Sequence, residues 1–276
     1  MIEDQIKFRA SGAAPLFAGD DGLSESKKAR MYELHDRRES FLNESDPKQK
    51  KKLELTDNMK KELRELERIN QDFLNGIVEL STGGRTYVES LVDQIVYKYK
   101  KTFGSKETEK GTTVEEDAIE FLNLFFMIEL IKSDSSLAHG FFKGHPDLED
   151  EINKMIIDIK CSWSKDTFPK LPEQISNSTY EWQLKLYCYM KSKMTGEHWR
   201  KARLCYVLMS TPEDLVPDWE GDDLHYVDDL DPALRITYIE FELTDADIAH
   251  IERREKAAVK YAKEYYNKLI TKNQIK

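Results

Sequence analysis

The run "MIIDIKC" at residues 155–161 constrains the fold most, because it places two charged side chains inside an apolar strand. Alternate residues of a strand share a face, so Asp158 and Lys160 lie on one side together with Ile156. A charged pair on a half-buried face costs free energy unless its members are paired or bind a metal. Two interpretations therefore stay open at this point: a structural ion pair, and part of a catalytic site.

A second carboxylate precedes this strand. Asp147, in the stretch "GHPDL", lies eleven residues before Asp158, and a polar turn separates two strand-like runs at about 139–148 and 154–161. We expect a hairpin that brings the two carboxylates together. Such carboxylates repel one another unless a cation lies between them, and hard oxygen ligands suit Mg²⁺ or Mn²⁺. With a lysine beside the metal, this set of groups predicts phosphodiester hydrolysis.

A third carboxylate is expected from the segment at 112–132, which has helical periodicity. Glu115 lies on its apolar face, at spacings of three, four and seven residues from the apolar side chains, whereas Glu116 falls on the polar face. Glu115 is therefore the predicted inward ligand and Glu116 is predicted to be solvated. The apolar face consists of Ala118, Ile119, Leu122 and Phe126.

A glutamine joins the candidate site from a later helix, predicted at about 178–194. Gln183 and Tyr187 are four residues apart in "YEWQLKLYCYM" and share a helix face. A buried glutamine needs hydrogen-bond partners. It is either a satisfied core amide or a group that holds a catalytic carboxylate, a water or a substrate phosphate.

The order of elements predicts a mixed α/β sheet flanked by helices. Strands are expected at about 201–209 and in "LRITYIEFEL", and a C-terminal helix is expected at about 245–270 with Thr244 or Asp245 as its cap. Further helices are predicted at 24–45 and 85–101. The highly charged segment at 46–79 predicts a long solvated helix or a helical hairpin. It is either a surface arm without chemistry or an arm that contacts DNA or a partner.

Composition limits the class of protein. The net charge of −10 argues against binding nucleic acid by bulk charge, although a local basic groove is compatible with it. No apolar run approaches 18 residues and the N-terminus lacks a signal-peptide core, so we expect no membrane association. The three cysteines are too few for a disulfide framework or an iron–sulfur cluster, which favours a reducing cytoplasm. They are Cys161, Cys188 and Cys205.

Taken together, "GHPDL", a turn, "IIDIK" and "QLKLY" resemble the PD-(D/E)XK nuclease superfamily. With "KGTTVEEDAIEFL" before them, they are more narrowly similar to the branch of the phage lambda exonuclease and the YqaJ-like viral recombinases. The resemblance covers roughly residues 103–210. It implies an α/β fold with a restriction-endonuclease-like mixed β-sheet flanked by helices, and an N-terminal helical extension. We expect residues 1–84 to form an N-terminal segment and charged arm packed on a nuclease core at 85–276.

The resemblance also implies roles for the candidate residues. Lys160 would be the catalytic lysine, and Gln183 would support the active site. The metal ligands would be the side chains of Glu115, Asp147 and Asp158 and the backbone carbonyl of Ile159. The N-terminal "FRAS" is similar to a segment that holds a DNA 5′-phosphate in this branch, so Arg9 and Ser11 are candidates for such a pocket. The alternative is that Arg9 is simply a solvated arginine.

The implied activity is that of a Mg²⁺-dependent exonuclease acting on linear double-stranded DNA, 5′ to 3′, in phage-type recombination or DNA processing. Mn²⁺ is expected to substitute for Mg²⁺. The resemblance further implies a single-strand annealing protein as partner, a ring-like homo-oligomer, and the cytoplasm of a bacterial host as location. Two alternatives remain open: a structure- or sequence-specific endonuclease on the same fold, and a nuclease-derived binding protein that does not cut.

Overall fold

Two β-sheets, each with parallel and antiparallel neighbours, form the centre of the protein. The computed structural model describes residues 2–19, 21–102, 104–175 and 178–272. A three-stranded sheet has the order β1-β3-β2, and a four-stranded sheet has the order β4-β5-β6-β7. The strands are β1 (Phe8–Arg9), β2 (Leu137–His139), β3 (Phe142–Gly144), β4 (Leu148–Asp150), β5 (Met155–Cys161), β6 (Lys201–Val207) and β7 (Ile236–Glu242).

Helices flank these sheets, as predicted. Their bounds are α1 (Glu25–Asn43), α2 (Pro47–Leu53), α3 (Asp57–Leu74), α4 (Thr82–Val96), α5 (Lys106–Thr113), α6 (Glu115–Phe126), α7 (Ser178–Thr195), α8 (Asp222–His225) and α9 (Asp245–Thr271). Strands β5 and β6 are parallel, and α7 provides the crossover that a parallel pair requires. The predicted fold class is confirmed. Within the described residues, no helix is long and apolar enough to cross a membrane.

The two faces of β5 lie in different parts of the core. Ile156 packs in the main cluster, against α7 and α9 and the N-terminal residues. Ile157 and Ile159 pack in a second cluster with the apolar face of α6. The predicted alternation along "MIIDIKC" is therefore confirmed, and the face that carries Asp158 is the one that α7 covers.

The predicted hairpin is partly wrong. The expected strand at 139–148 is broken, because β3 ends at Gly144 in one sheet and β4 begins at Leu148 in the other. Pro146 lies at the break and has no N–H to donate to a ladder. Asp147 consequently lies in a link before β4, and not on a strand as expected. The turn between β4 and β5 has four residues, 151–154.

The N-terminal part of the chain has two different relations to this core. The charged segment forms α2 and α3, and α3 packs on α1 to make an arm with its own apolar cluster. Residues 2–19 instead enter the main core, and β1 pairs with β3. Residue 1 and residues 273–276, the ends of the two predicted domains, lie outside the described residues. The domain division stays a prediction.

Candidate active site

The candidate site is built on the free edge of β5. The pairing of β4 with β5 stops at Leu148 and Ile157, so the following residues of β5 face the link that carries Asp147. Asp147 Oδ2 accepts a hydrogen bond of 2.8 Å from the Ile159 N–H. The N–H and C=O of one strand residue point to the same edge. The Ile159 carbonyl, predicted as a ligand, therefore faces the same edge as Asp147.

Asp158 and Lys160 lie side by side under α7. Lys160 Nζ is 2.5 Å from Asp158 Oδ2, and the Asp158 side chain is only 2% exposed. Gln183 Nε2 donates to Asp158 Oδ1 at 2.9 Å and to the hydroxyl of Tyr187 at 3.1 Å. Lys160 Nζ also lies 5.0 Å from the ring centre of Tyr180. Gln183 is thus both a satisfied buried amide and the group that holds a candidate carboxylate.

Glu115 approaches the same edge from the opposite face of the sheet. It begins α6, which packs on Ile157 and Ile159, and its side chain is 23% exposed. Its Oε2 atom is 2.6 Å from Lys132 Nζ. Glu116 is exposed, as predicted. The structure therefore brings Asp147, Asp158, Lys160 and Gln183 together, while Glu115 is directed to a lysine that the sequence analysis did not identify.

The pKa values at this edge reflect carboxylates that lie close together. Burial, followed by the charge of Asp158, raises the pKa of Asp147 to about 7, although Lys160 and the Ile159 N–H act in the opposite direction. The charge of Glu115 raises this pKa further. Burial lowers the pKa of Lys160, but the charges of Asp158 and Asp147 more than offset it, so the pKa lies above its usual range. Two negative groups at one edge are only partly neutralised by one lysine.

The donor set fits a hard divalent cation. Within the described residues, no group of three or more His, Cys, Asp or Glu side chains is arranged to hold a metal ion. The oxygen-only donors of Asp147, Asp158 and the Ile159 carbonyl are nevertheless those that Mg²⁺ and Mn²⁺ prefer. The repulsion that raises the pKa of Asp147 is what a cation would relieve. Glu115 would add a further carboxylate to this set, and its Oε2 atom is paired with Lys132.

Arg9 and Ser11 line a separate cavity of about 610 Å³. Its described lining includes no carboxylate, and its basic members are Lys7, Arg9, Lys100, Lys101 and Lys143. Lys143 of this lining is followed by Gly144, where a Cβ atom would clash with the ring of Tyr187. Tyr187 in turn accepts from Gln183. Contacts through Gly144, Tyr187 and Gln183 therefore connect the cavity lining with Asp158.

Two further lysines escaped the sequence analysis. Lys132 follows an irregular segment whose path no periodicity predicts. Lys110 is fully buried on α5, and its ammonium donates to the carbonyls of Ser162, Trp163 and Met209 at 2.7, 2.7 and 2.8 Å. Burial lowers the pKa of Lys110 to about 8. This residue ties the helix before Glu115 to the segments after β5 and β6.

Comparison with known proteins supports the fold. No protein-family model and no curated protein matches the sequence. Among solved structures, the chain is similar to a phage related exonuclease from Haemophilus somnus 129PT, with a TM-score of 0.62 and 25% identity over 73% of this chain and 88% of that chain. It is also similar to an alkaline exonuclease (LHK-Exo) from Laribacter hongkongensis, with a TM-score of 0.48 and 16% identity over 73% of this chain and 90% of that chain.

The first of these similarities confirms the predicted resemblance to the phage exonuclease branch. The fold of this chain is similar to that of a phage related exonuclease.

Proposed function

We propose that this protein is a divalent-metal-dependent DNA exonuclease that hydrolyses phosphodiester bonds of linear duplex DNA from the 5′ end. The observation that carries the proposal is the assembly of Asp147, Asp158, Lys160 and Gln183 at one strand edge. Its fold similarity to a phage related exonuclease supports the same class of activity.

The proposed ligands of the metal ion are the side chains of Glu115, Asp147 and Asp158 and the carbonyl of Ile159. A divalent ion bound there, Mg²⁺ in our proposal and Mn²⁺ as its substitute, supplies Lewis-acid stabilisation of the phosphate and lowers the pKa of a bound water. Gln183 fixes the orientation of Asp158 through the 2.9 Å hydrogen bond.

Lys160 is the proposed catalytic cation. Its side chain is 26% exposed, so it is not fully enclosed by the protein while its ammonium remains beside Asp158. From this position it would orient the attacking water and stabilise the negative charge that develops on the phosphate oxygens. The high pKa of Lys160 keeps it a cation at neutral pH.

Arg9 and Ser11 are the proposed holders of the terminal 5′-phosphate. The forked guanidinium of an arginine suits phosphate, and further lysines in the lining, such as Lys7 and Lys143, concentrate positive charge there. Such a local field reconciles DNA binding with a net charge of −10. We also propose, from the resemblance, a role in phage-type recombination, a ring-like homo-oligomer around DNA, and an annealing protein as partner.

A cleavage assay tests this function. Linear duplex DNA with a 5′-phosphate and a covalently closed circle are incubated with the protein and Mg²⁺, Mn²⁺ or EDTA. We expect progressive shortening of the linear DNA, release of nucleotides from its 5′ end, survival of the circle, and no reaction in EDTA. Cutting of the circle would show an endonuclease on this fold, and a folded protein that cuts neither DNA with either ion would exclude a catalytic role.

A further inference from the structure

Two of the three candidate carboxylate ligands, Asp158 and Glu115, are each paired with a lysine. Lys160 lies 2.5 Å from Asp158, and Lys132 lies 2.6 Å from Glu115. Together they carry a charge of +2, which equals the charge of one divalent cation. The proposed reaction assigns a role to Lys160 but none to Lys132.

The chain places Lys132 at this position with several specific contacts. Met127 adopts a left-handed conformation with φ 53°, which reverses the chain after α6. The side chain of Asn123 then brackets Leu130, donating to its carbonyl at 2.7 Å and accepting from its N–H at 3.0 Å. The returning segment runs back along α6 towards Glu115.

The end of this segment joins the edge of the four-stranded sheet. Lys132 forms an antiparallel bridge with Leu148, the first residue of β4. The next residue, Ser133, donates its N–H to the carbonyl of Asp147 at 2.8 Å. The backbone of Lys132 is thus tied to the link that carries one candidate ligand, while its ammonium contacts another. Specific backbone contacts therefore hold Lys132 in this position next to Glu115.

We propose that Lys132 competes with the divalent cation for Glu115, so that metal binding displaces its ammonium. The proposal rests on the function proposed above. The Lys132 side chain is 48% exposed and has solvent to move into, whereas the Glu115 side chain is 23% exposed and is the less free of the two to move. An ammonium is strongly hydrated, and ion pairs at such exposed positions are weak. Displacement is therefore feasible, and it reduces the metal affinity of the site.

The direction of the effect separates competition from structural support. If Lys132 competes, its removal frees Glu115 and tightens metal binding. If Lys132 instead positions Glu115 for the metal, its removal weakens metal binding. From the usual strength of exposed ion pairs, we expect tightening of about two- to fivefold.

Calorimetric titration of the full chain with Mn²⁺, without DNA, measures this effect. The variants are Lys132→Met and, as a second neutral replacement, Lys132→Gln. The matched control is Lys193→Met, which removes a lysine from another ion pair between two elements, Lys193 with Glu252 at 3.0 Å. We expect tighter Mn²⁺ binding in both Lys132 variants and wild-type affinity in the control. Unchanged or weaker binding in both Lys132 variants would overturn the proposal.

A double-mutant cycle separates competition for Glu115 from a general effect of charge. In a Glu115→Gln background, Lys132→Met should change the Mn²⁺ affinity no further. An equal gain in Mn²⁺ affinity in both backgrounds would mean that Lys132 acts only through the electrostatic field of its charge. That result would overturn the proposed competition for Glu115. Wild-type protein that binds no Mn²⁺ would refute the proposed function as well. Wild-type protein that binds Mn²⁺ and cuts DNA, with no gain in the variants, would refute competition alone.

Discussion

Asp158 is a buried carboxylate with a polar partner at each oxygen. Its residue is 1% exposed, Gln183 contacts Oδ1 and Lys160 contacts Oδ2. Removing one partner of such a group leaves a buried charge or acceptor without compensation, which costs stability. The structural and catalytic interpretations of Asp158 and Lys160 are therefore compatible, and they differ in what each substitution does to cleavage.

Substitution of Gln183 tests its hydrogen bond to Asp158. Gln183→Leu removes the donor to Asp158 Oδ1 and to the Tyr187 hydroxyl. We expect a loss of about 1–3 kcal/mol in the free energy of unfolding, measured by urea denaturation, because buried polar atoms lose their partner. Cleavage should fall as well. Tyr187→Phe keeps the bond to Asp158 and should retain more activity. An equal loss of cleavage in both variants would contradict the role given to this bond.

At the residue scale, much of this edge was predictable from spacing alone. Alternation along "MIIDIKC" placed Asp158 and Lys160 on one face, and helical spacing placed Gln183 and Tyr187 together. The contact between Glu115 and Lys132 was not predictable, because it depends on the irregular chain reversal at Met127. No periodic pattern encodes such a path.

Between elements, Gly144 of β3 packs closely against Tyr187 of α7. A Cβ atom at Gly144 would clash with the ring of Tyr187 and press on Ala10. We expect Gly144→Ala to lower the free energy of unfolding by about 1–3 kcal/mol, because overpacking forces its neighbours to shift. Cleavage should fall with it, since Tyr187 contacts Gln183.

Gly111→Ala is the matched control, measured by the same urea denaturation. Gly111 lies inside α5, and a Cβ atom there would meet nothing within 4 Å. Alanine is the better helix former by about 1 kcal/mol, so this variant should be as stable as the wild type or more so. Wild-type stability in Gly144→Ala would contradict the close packing described here.

Asp21, a titratable residue of the N-terminal segment, binds three residues of α9. Although burial alone raises the pKa of Asp21, hydrogen bonds from His250 and Arg253 and the charge of Arg254 lower it to about 2. A lowered pKa means that the contribution to stability is present above pH 4 and lost as the pH falls towards 2.

We therefore expect Asp21→Asn to be less stable than the wild type at pH 7, and the difference to shrink as the pH falls towards and through 2. The midpoint of thermal unfolding, followed by circular dichroism across this range, measures the difference. A difference that stays constant with pH would show that the charge of Asp21 is not what fastens the segment.

Elements with strong local signals were predicted closely. The C-terminal helix was expected at about 245–270, and α9 spans Asp245–Thr271 with Thr244 accepting from the Asp247 N–H. The prediction of a strand at 139–148 was wrong, because the strands β3 and β4 found there have three residues each and are too short to show alternation. Their assignment to two sheets depends in part on a partner distant in the chain, because β3 pairs with β1. The division of the chain at residue 84 remains a prediction.

On the scale of the whole molecule, an acidic protein carries a basic cavity, which Arg9 lines. If Arg9 holds a terminal phosphate there, Arg9→Ala should slow cleavage of 5′-phosphorylated ends, by about tenfold for the loss of a charged hydrogen bond. Ends with a 5′-hydroxyl should be affected much less. The measurement is the initial rate on the two substrates.

Arg30→Ala is the control for this substitution, because Arg30 pairs with Glu62 and Glu33 on the distant helical arm. It should leave both rates unchanged. Equal slowing of both substrates by Arg9→Ala would argue for general DNA binding and against recognition of the terminal phosphate.

The most direct test of the central claim is single-turnover cleavage of linear duplex DNA by Lys160→Ala at saturating Mg²⁺. Lys193→Ala serves as the control, and circular dichroism establishes that both variants are folded at the assay temperature. We predict that Lys160→Ala slows cleavage by at least about 100-fold, since it removes the cation that stabilises the developing charge, while the control cuts normally. Cleavage by folded Lys160→Ala within a few-fold of the wild-type rate would contradict the assignment of the active site to the edge of β5.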